Sequence, residues 1–199
     1  MAAIISVGGV DQYTGASIGY LVAPVGLTYV TPITTLLHYA QATQSGDQLL
    51  GALGISLEDL KKDPIETYKN GDAAAVAKAE NILKTGASIL TTVSGVSALV
   101  SGVSGQTTEE ANKTVFSKLV SKIQPNQTLD EALVSSVIAD SLPTGAVVNG
   151  DLVSGAAAAL SQVLGKFNGR SLQDCWTYAS IGQSVLSKEI LDLSKGNLT

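Results

Sequence analysis

The spacing of apolar residues changes near residue 31. Before that point, apolar residues form short runs broken by glycine and proline. Ala3-Ile4-Ile5-Ser6-Val7 reads as a strand and Gly8-Gly9 ends it. Tyr20-Leu21-Val22 reads as a second strand, stopped at Ala23-Pro24, and Leu27-Thr28-Tyr29-Val30 alternates as a third would. Asp11-Gln12-Tyr13-Thr14-Gly15, between the first two, has turn chemistry. Residues 1–31 are therefore expected to form a small β-ribbon or irregular arm.

From residue 32 onward the apolar spacing is helical and the helix punctuation is explicit. Thr31-Pro32 offers an N-cap with proline at the first helical position. Ser45-Gly46-Asp47 opens a short helix that Gly54 closes, and Ser56 caps the next turn. Asp63-Pro64-Ile65-Glu66 has a cap, a proline and a capping-box spacing. Asp72 precedes the longest helix, predicted over 73–103. Thr107 or Thr108, then Thr128-Leu129-Asp130-Glu131 as a capping box, then Asn149-Gly150-Asp151 and Ser171 mark the remaining starts. The last helix carries an apolar stripe through Leu172, Trp176, Ala179, Val185, Leu186, Ile190 and Leu193. The fold class expected is mainly α: a compact multi-helix bundle of seven or eight helices behind a short N-terminal β-ribbon or irregular arm. Short loops and no long linker predict one domain over 1–199, with the arm at 1–31 and the helical body at 32–199.

Composition narrows the function classes. The chain has 199 residues, of which 45% are hydrophobic and only 15% charged, against roughly 25% charged in ordinary globular chains. Ser, Thr, Gly and Ala with little Lys hint at an exported bacterial protein. The net charge of −5 opposes nucleic-acid binding, which needs basic stripes to displace phosphate counterions. Residues 85–108 carry no charge, but their serines, threonines and four glycines make a transmembrane span unexpected. The start of the chain lacks the basic region of a secretory signal, so an export signal is expected to be absent from this chain.

Catalytic equipment is sparse. Cys175 and His38 are the sole residues of their kinds and lie far apart in sequence. Cys175 reads as a small buried hydrophobe. Paired metal ligands and a phosphate loop are missing, and a nucleophilic serine elbow is not expected. Glu58, Asp59, Asp63 and Glu66 cluster, yet helix N-termini account for most of them. A hydrolase would need two acids facing across a cleft. Asp11 is a calcium candidate through its carboxylate and nearby backbone oxygens, although one carboxylate is few for an ion that takes six to eight oxygens. An Asx-turn is the alternative. Gly95, Ala98, Gly102 and Gly105 recur at three- and four-residue steps. They read as a close helix-packing face within the chain or as a self-association face. Asn112, Asn126 and Asn197 head glycosylation sequons, to which no meaning is assigned.

One stretch carries a resemblance. Residues 8–37 contain Gly-Gly-Val-Asp-Gln-Tyr-Thr-Gly, then Leu-Val-Ala-Pro-Val-Gly, then Val-Thr-Pro-Ile-Thr-Thr-Leu-Leu. This resembles a module of very large secreted or cell-surface, adhesin-like bacterial proteins, with the pattern Gly-Gly-x-Asp-x-x-Thr-Gly, Ala-Pro-x-Gly-x-Thr, Thr-Pro-Leu-Thr-Thr-Leu. The likeness extends over roughly 1–105, including Leu-Gly-Ile…Asp-Pro-Ile at 53–65. It implies an extracellular or cell-surface setting, a non-enzymatic structural or adhesive role, a calcium-rich medium, and other subunits or neighbouring domains as partners, with a homo-oligomer among the options. The competing expectation is a helical binding module for a small apolar ligand or pigment, walled by Trp176, Tyr178, Phe116 and Tyr39.

Overall fold

A computed structural model describes residues 2–43, 46–125 and 129–196. Ser45, Thr128 and the sequons at Asn126 and Asn197 lie outside the described residues. The described residues are 65% helical. Strands β1 (Ile4–Val7) and β2 (Tyr20–Ala23) precede helices α1 (Pro32–Thr43), α2 (Gly46–Leu53), α3 (Pro64–Asn70), α4 (Ala73–Ser104), α5 (Thr108–Val120), α6 (Glu131–Ser141) and α7 (Gly150–Gly165). Then α8 (Leu172–Ser180), a π-helical stretch (Ile181–Leu186) and α9 (Ser187–Ser194) run on without a break. Counted this way, the described residues form eight helices behind a short ribbon, as the spacing predicts.

The axis of the body is α4, which packs against α1, α3, α5, α6, α7, α8, the π stretch and α9. A helix enclosed on every side has no polar face to keep, and this is the origin of the uncharged run. Val93, Val96, Leu99 and Val100 are fully buried, and so are Thr91 and Thr92. The threonine and serine hydroxyls here fold back on the helix: Thr92 donates to Ser88 O at 3.0 Å, and Ser88 to Lys84 O at 3.0 Å. By length and composition α4 could cross a membrane, yet 67% of its most apolar 18-residue window is buried inside the fold.

Local cap chemistry sets most helix ends. Asp63 Oδ1 accepts from the amides of Ile65 and Glu66, with Pro64 behind it. Asp72 accepts from Ala75 N, and Thr107 and Glu110 close a reciprocal capping box. The start of α6 is capped by Asp130, which accepts from Leu133 N. Gly54 and Gly105 end α2 and α4 in the left-handed conformation.

The arm differs from its expected form in one respect. β1 and β2 pair antiparallel, Ile4 opposite Ala23 and Val7 opposite Tyr20, but residues 27–30 form no third strand. The position beside β2 is already taken. Val22 N–H donates to Thr35 Oγ1 at 2.9 Å, and Val22 O accepts from the Thr34 hydroxyl at 3.2 Å. Those two hydroxyls, at the start of α1, are held in turn by Thr31: Thr31 N–H donates to Thr34 Oγ1, and Thr35 donates to Thr31 O. Helix side chains thus stand where a strand backbone would. All four β2 residues are buried between β1, α1 and α5.

Thr34 and Thr35 are fully buried, so Thr35→Val should leave the Val22 amide unpaired and cost about 1–3 kcal/mol. Urea unfolding followed by circular dichroism measures this. Thr35→Ser, which keeps the oxygen, should cost clearly less.

Candidate functional site

The turn at Asp11 fastens the arm to the body at a second place. Asp11 Oδ1 accepts from the amides of Tyr13 and Thr14, both at 2.8 Å, and Gly15 N–H donates to Asp11 O. This Asx-turn throws Tyr13 and Thr14 onto the last helix. The Tyr13 ring stacks on Trp176 with centroids 4.3 Å apart. The Thr14 hydroxyl donates to Gln183 Oε1 at 3.0 Å, and Gln183 Nε2 donates to Thr91 Oγ1 at 3.2 Å. Ser180 donates to Thr14 O. Thr14, Gln183 and Thr91 are all buried, so this chain satisfies three polar side chains in an otherwise apolar interior.

The π stretch makes the junction fit. A wider turn shifts the helix phase and brings Gln183 inward. Gly182 allows the close approach, since a Cβ there would lie 2.6 Å from Thr91 Cγ2. The same shift corrects the expected stripe: Val185 and Leu193 lie outward, 58% and 46% exposed.

Between the turn, α4 and the start of α3 runs a half-open groove of about 220 Å³. Ile18, Leu21, Pro32, Ile65, Leu90 and Trp176 supply apolar wall, and Asp11 is the one carboxylate in its lining. No Lys, Arg or His lines it.

The other residues singled out from sequence are distributed as follows. Asp11 is the one carboxylate lining the groove, and among the described residues no three of His, Cys, Asp and Glu gather. One spare carboxylate oxygen beside turn carbonyls falls short of the six to eight oxygens calcium takes. Gly95 meets Leu160 of α7, 2.4 Å from where a Cβ would stand. A Cβ on Gly102 would collide with the Ser194 hydroxyl and lie 2.7 Å from Ser194 Cβ and 3.1 Å from Leu191 O on α9. Ala98 packs on the main core and Gly105 caps α4. The glycine face is thus in contact with helices of its own chain. Trp176 reaches the groove, but Tyr39 and Phe116 lie parallel in the core at 6.4 Å, and Tyr178 joins a small cluster with Phe167, Cys175 and Ala179. Burial pushes the Cys175 thiol above its usual value, and His38 lies edge-on to Tyr39 on α1.

A second pocket, of about 220 Å³, holds two acids, Asp59 and Asp72. Hydrogen bonding from Ser56, with Lys78 assisting, holds Asp59 below the usual carboxylate range, the reverse of what a general acid needs. Asp72 is engaged as the α4 cap. Gly15-Ala16-Ser17-Ile18-Gly19 does spell the letters of a serine elbow. However, Ser17 is exposed and bridges Val10 within the ribbon, where no strand-to-helix turn exists. The buried Asn112 leaves its sequon closed to modification.

No protein-family model, curated protein or solved structure matches the chain.

The glycines of α4 separate into two kinds by their surroundings. A Cβ on Gly86 would lie 3.8 Å from Pro32, an ordinary contact. Gly86→Ala should therefore stabilise the fold by up to ~1 kcal/mol through helix propensity alone. Gly102→Ala should destabilise it by about 1–3 kcal/mol, because α9 backbone must move. Thermal and urea unfolding of the two variants measure both signs.

Proposed function

We propose that the protein is a non-enzymatic structural or adhesive module of an extracellular bacterial assembly, joined to its neighbours through the outer edge of its N-terminal ribbon. The observation that carries this reading is β1. Among the described residues it pairs on one side only, and its exposed side chains are apolar: Ile5 is 59% and Val7 58% exposed, with Ile4 also exposed and Val10 exposed just beyond the strand. Residues 2–10 hold no charge and no proline, two of the devices by which soluble proteins blunt a free edge. A bare apolar edge is suited to strand addition by a neighbouring module, with main-chain hydrogen bonds giving affinity. The extracellular setting is supported by the resemblance of residues 8–37 and by the Ser-, Thr- and Gly-rich composition. The non-enzymatic reading is supported by the commitment of Asp59, Asp72 and Cys175 to structural contacts.

Self-association through β1 is the accessible form of this contact. Sedimentation equilibrium at about 1 mM detects an interface worth only about 4 kcal/mol. The wild type should associate reversibly, and Val7→Lys should abolish association while leaving the circular dichroism spectrum unchanged. A strictly monomeric wild type at that concentration removes the self-assembling form of the proposal.

A further inference from the structure

We propose that the groove between the arm and α4 binds a small organic ammonium cation, its charged head at Asp11 and its apolar body along the α4 wall. This site is distinct from the β1 edge, and its occupancy does not depend on assembly.

Charge gives the first argument. Asp11 is the one carboxylate in the lining, and no cationic side chain accompanies it. Its Oδ1 holds the turn amides, while among the described residues Oδ2 takes no hydrogen bond and Asp11 makes no ion pair. A half-buried carboxylate with one oxygen unspent is complementary to an ammonium group. The aromatic pair adds to this. Tyr13 and Trp176, stacked on one another, both line the same groove, and aromatic rings attract cations, indole most strongly.

The remaining lining fixes the rest of the ligand. Gln183 and Thr14 are satisfied by one another and by Thr91, so an apolar body laid over them strands no polar group. Gly86 lies in the floor although neither backbone conformation nor packing requires glycine there. Its missing side chain keeps the floor open at the expense of helix propensity. At about 220 Å³ the groove is smaller than the ~300–1,000 Å³ typical of drug-sized ligands, which selects a fragment-sized molecule.

Trp176 is the sole tryptophan, so its fluorescence reads this groove directly. The full chain is titrated with 2-phenylethylamine, with its neutral isostere 2-phenylethanol and with the anionic 3-phenylpropionate. The amine should give a saturable change, the alcohol should bind about tenfold more weakly, and the carboxylate weaker still. Asp11→Asn keeps the acceptor that holds the turn. It should lower amine affinity about tenfold, to near that of the alcohol, and an unchanged circular dichroism spectrum shows that the variant is folded. Gly86→Leu should abolish binding of all three while helix content is retained. No saturable response to the amine up to about 10 mM, equal affinity for the three probes, or unchanged amine affinity in Asp11→Asn each overturns the proposal. Val7→Lys should not affect the titration, so loss of assembly and loss of binding are separable results.

Discussion

Everything distinctive about this fold follows from how one strand is held on its inner side. β2 has β1 on one edge and the hydroxyls of Thr34 and Thr35 on the other. A buried strand with an unpaired edge is expensive, because each orphaned amide or carbonyl bears its full desolvation penalty. Two threonines at the start of α1 remove that penalty at Val22 without adding a strand. The ribbon therefore stops at two strands on its inner side. Its single open edge faces outward, and the chain that follows is free to turn directly into the helical body. The open β1 edge and the arm-side wall of the groove are both consequences of this arrangement.

The second constraint is α4. An apolar helix whose last twenty residues carry no charge invites a membrane reading, yet eight neighbouring segments surround it. Close approach on that scale needs small residues. Gly95 admits Leu160 and Gly102 admits the backbone of α9. The helix propensity lost at those positions is recovered as packing, and Gly86, with ordinary space around it, does not fit that explanation. The contrast between Gly86 and Gly102 separates a glycine kept by packing from one that packing does not explain.

Features set within one turn of chain were legible in the sequence. The caps at Asp63, Asp72, Thr107, Asn149 and Ser171 and the closing glycines could be read because a cap is a contact between neighbours two or three residues apart. Features set by distant partners were not. Thr34 and Thr35 look like ordinary first-turn residues, and nothing local says that they replace a strand. Gln183 sits in a polar position of a helical wheel until a π turn rotates it inward. Its partners Thr14 and Thr91 lie at the other end of the chain and on another helix. The groove was illegible for the same reason, since its lining comes from the arm, α3, α4 and α8. Asp11 was visible as a turn residue, but its role as the groove's lone carboxylate depends on neighbours more than fifty residues away.

Two attachments make the arm a rigid body rather than a tail. β2 is fixed at Val22 by α1, and the turn is fixed at Thr14 by Gln183 and Ser180. A loose N-terminal strand would lose conformational freedom on pairing with a partner, at roughly 1–2 kcal/mol per residue for the backbone alone. A strand already ordered along β2 has met that cost during folding, so edge pairing keeps more of its interaction energy. The same rigidity holds Asp11 and Tyr13 at a constant distance from α4, which a groove of fixed shape requires. The buried Thr14–Gln183–Thr91 chain, two of whose members also line the groove, is thus what holds the arm against α4.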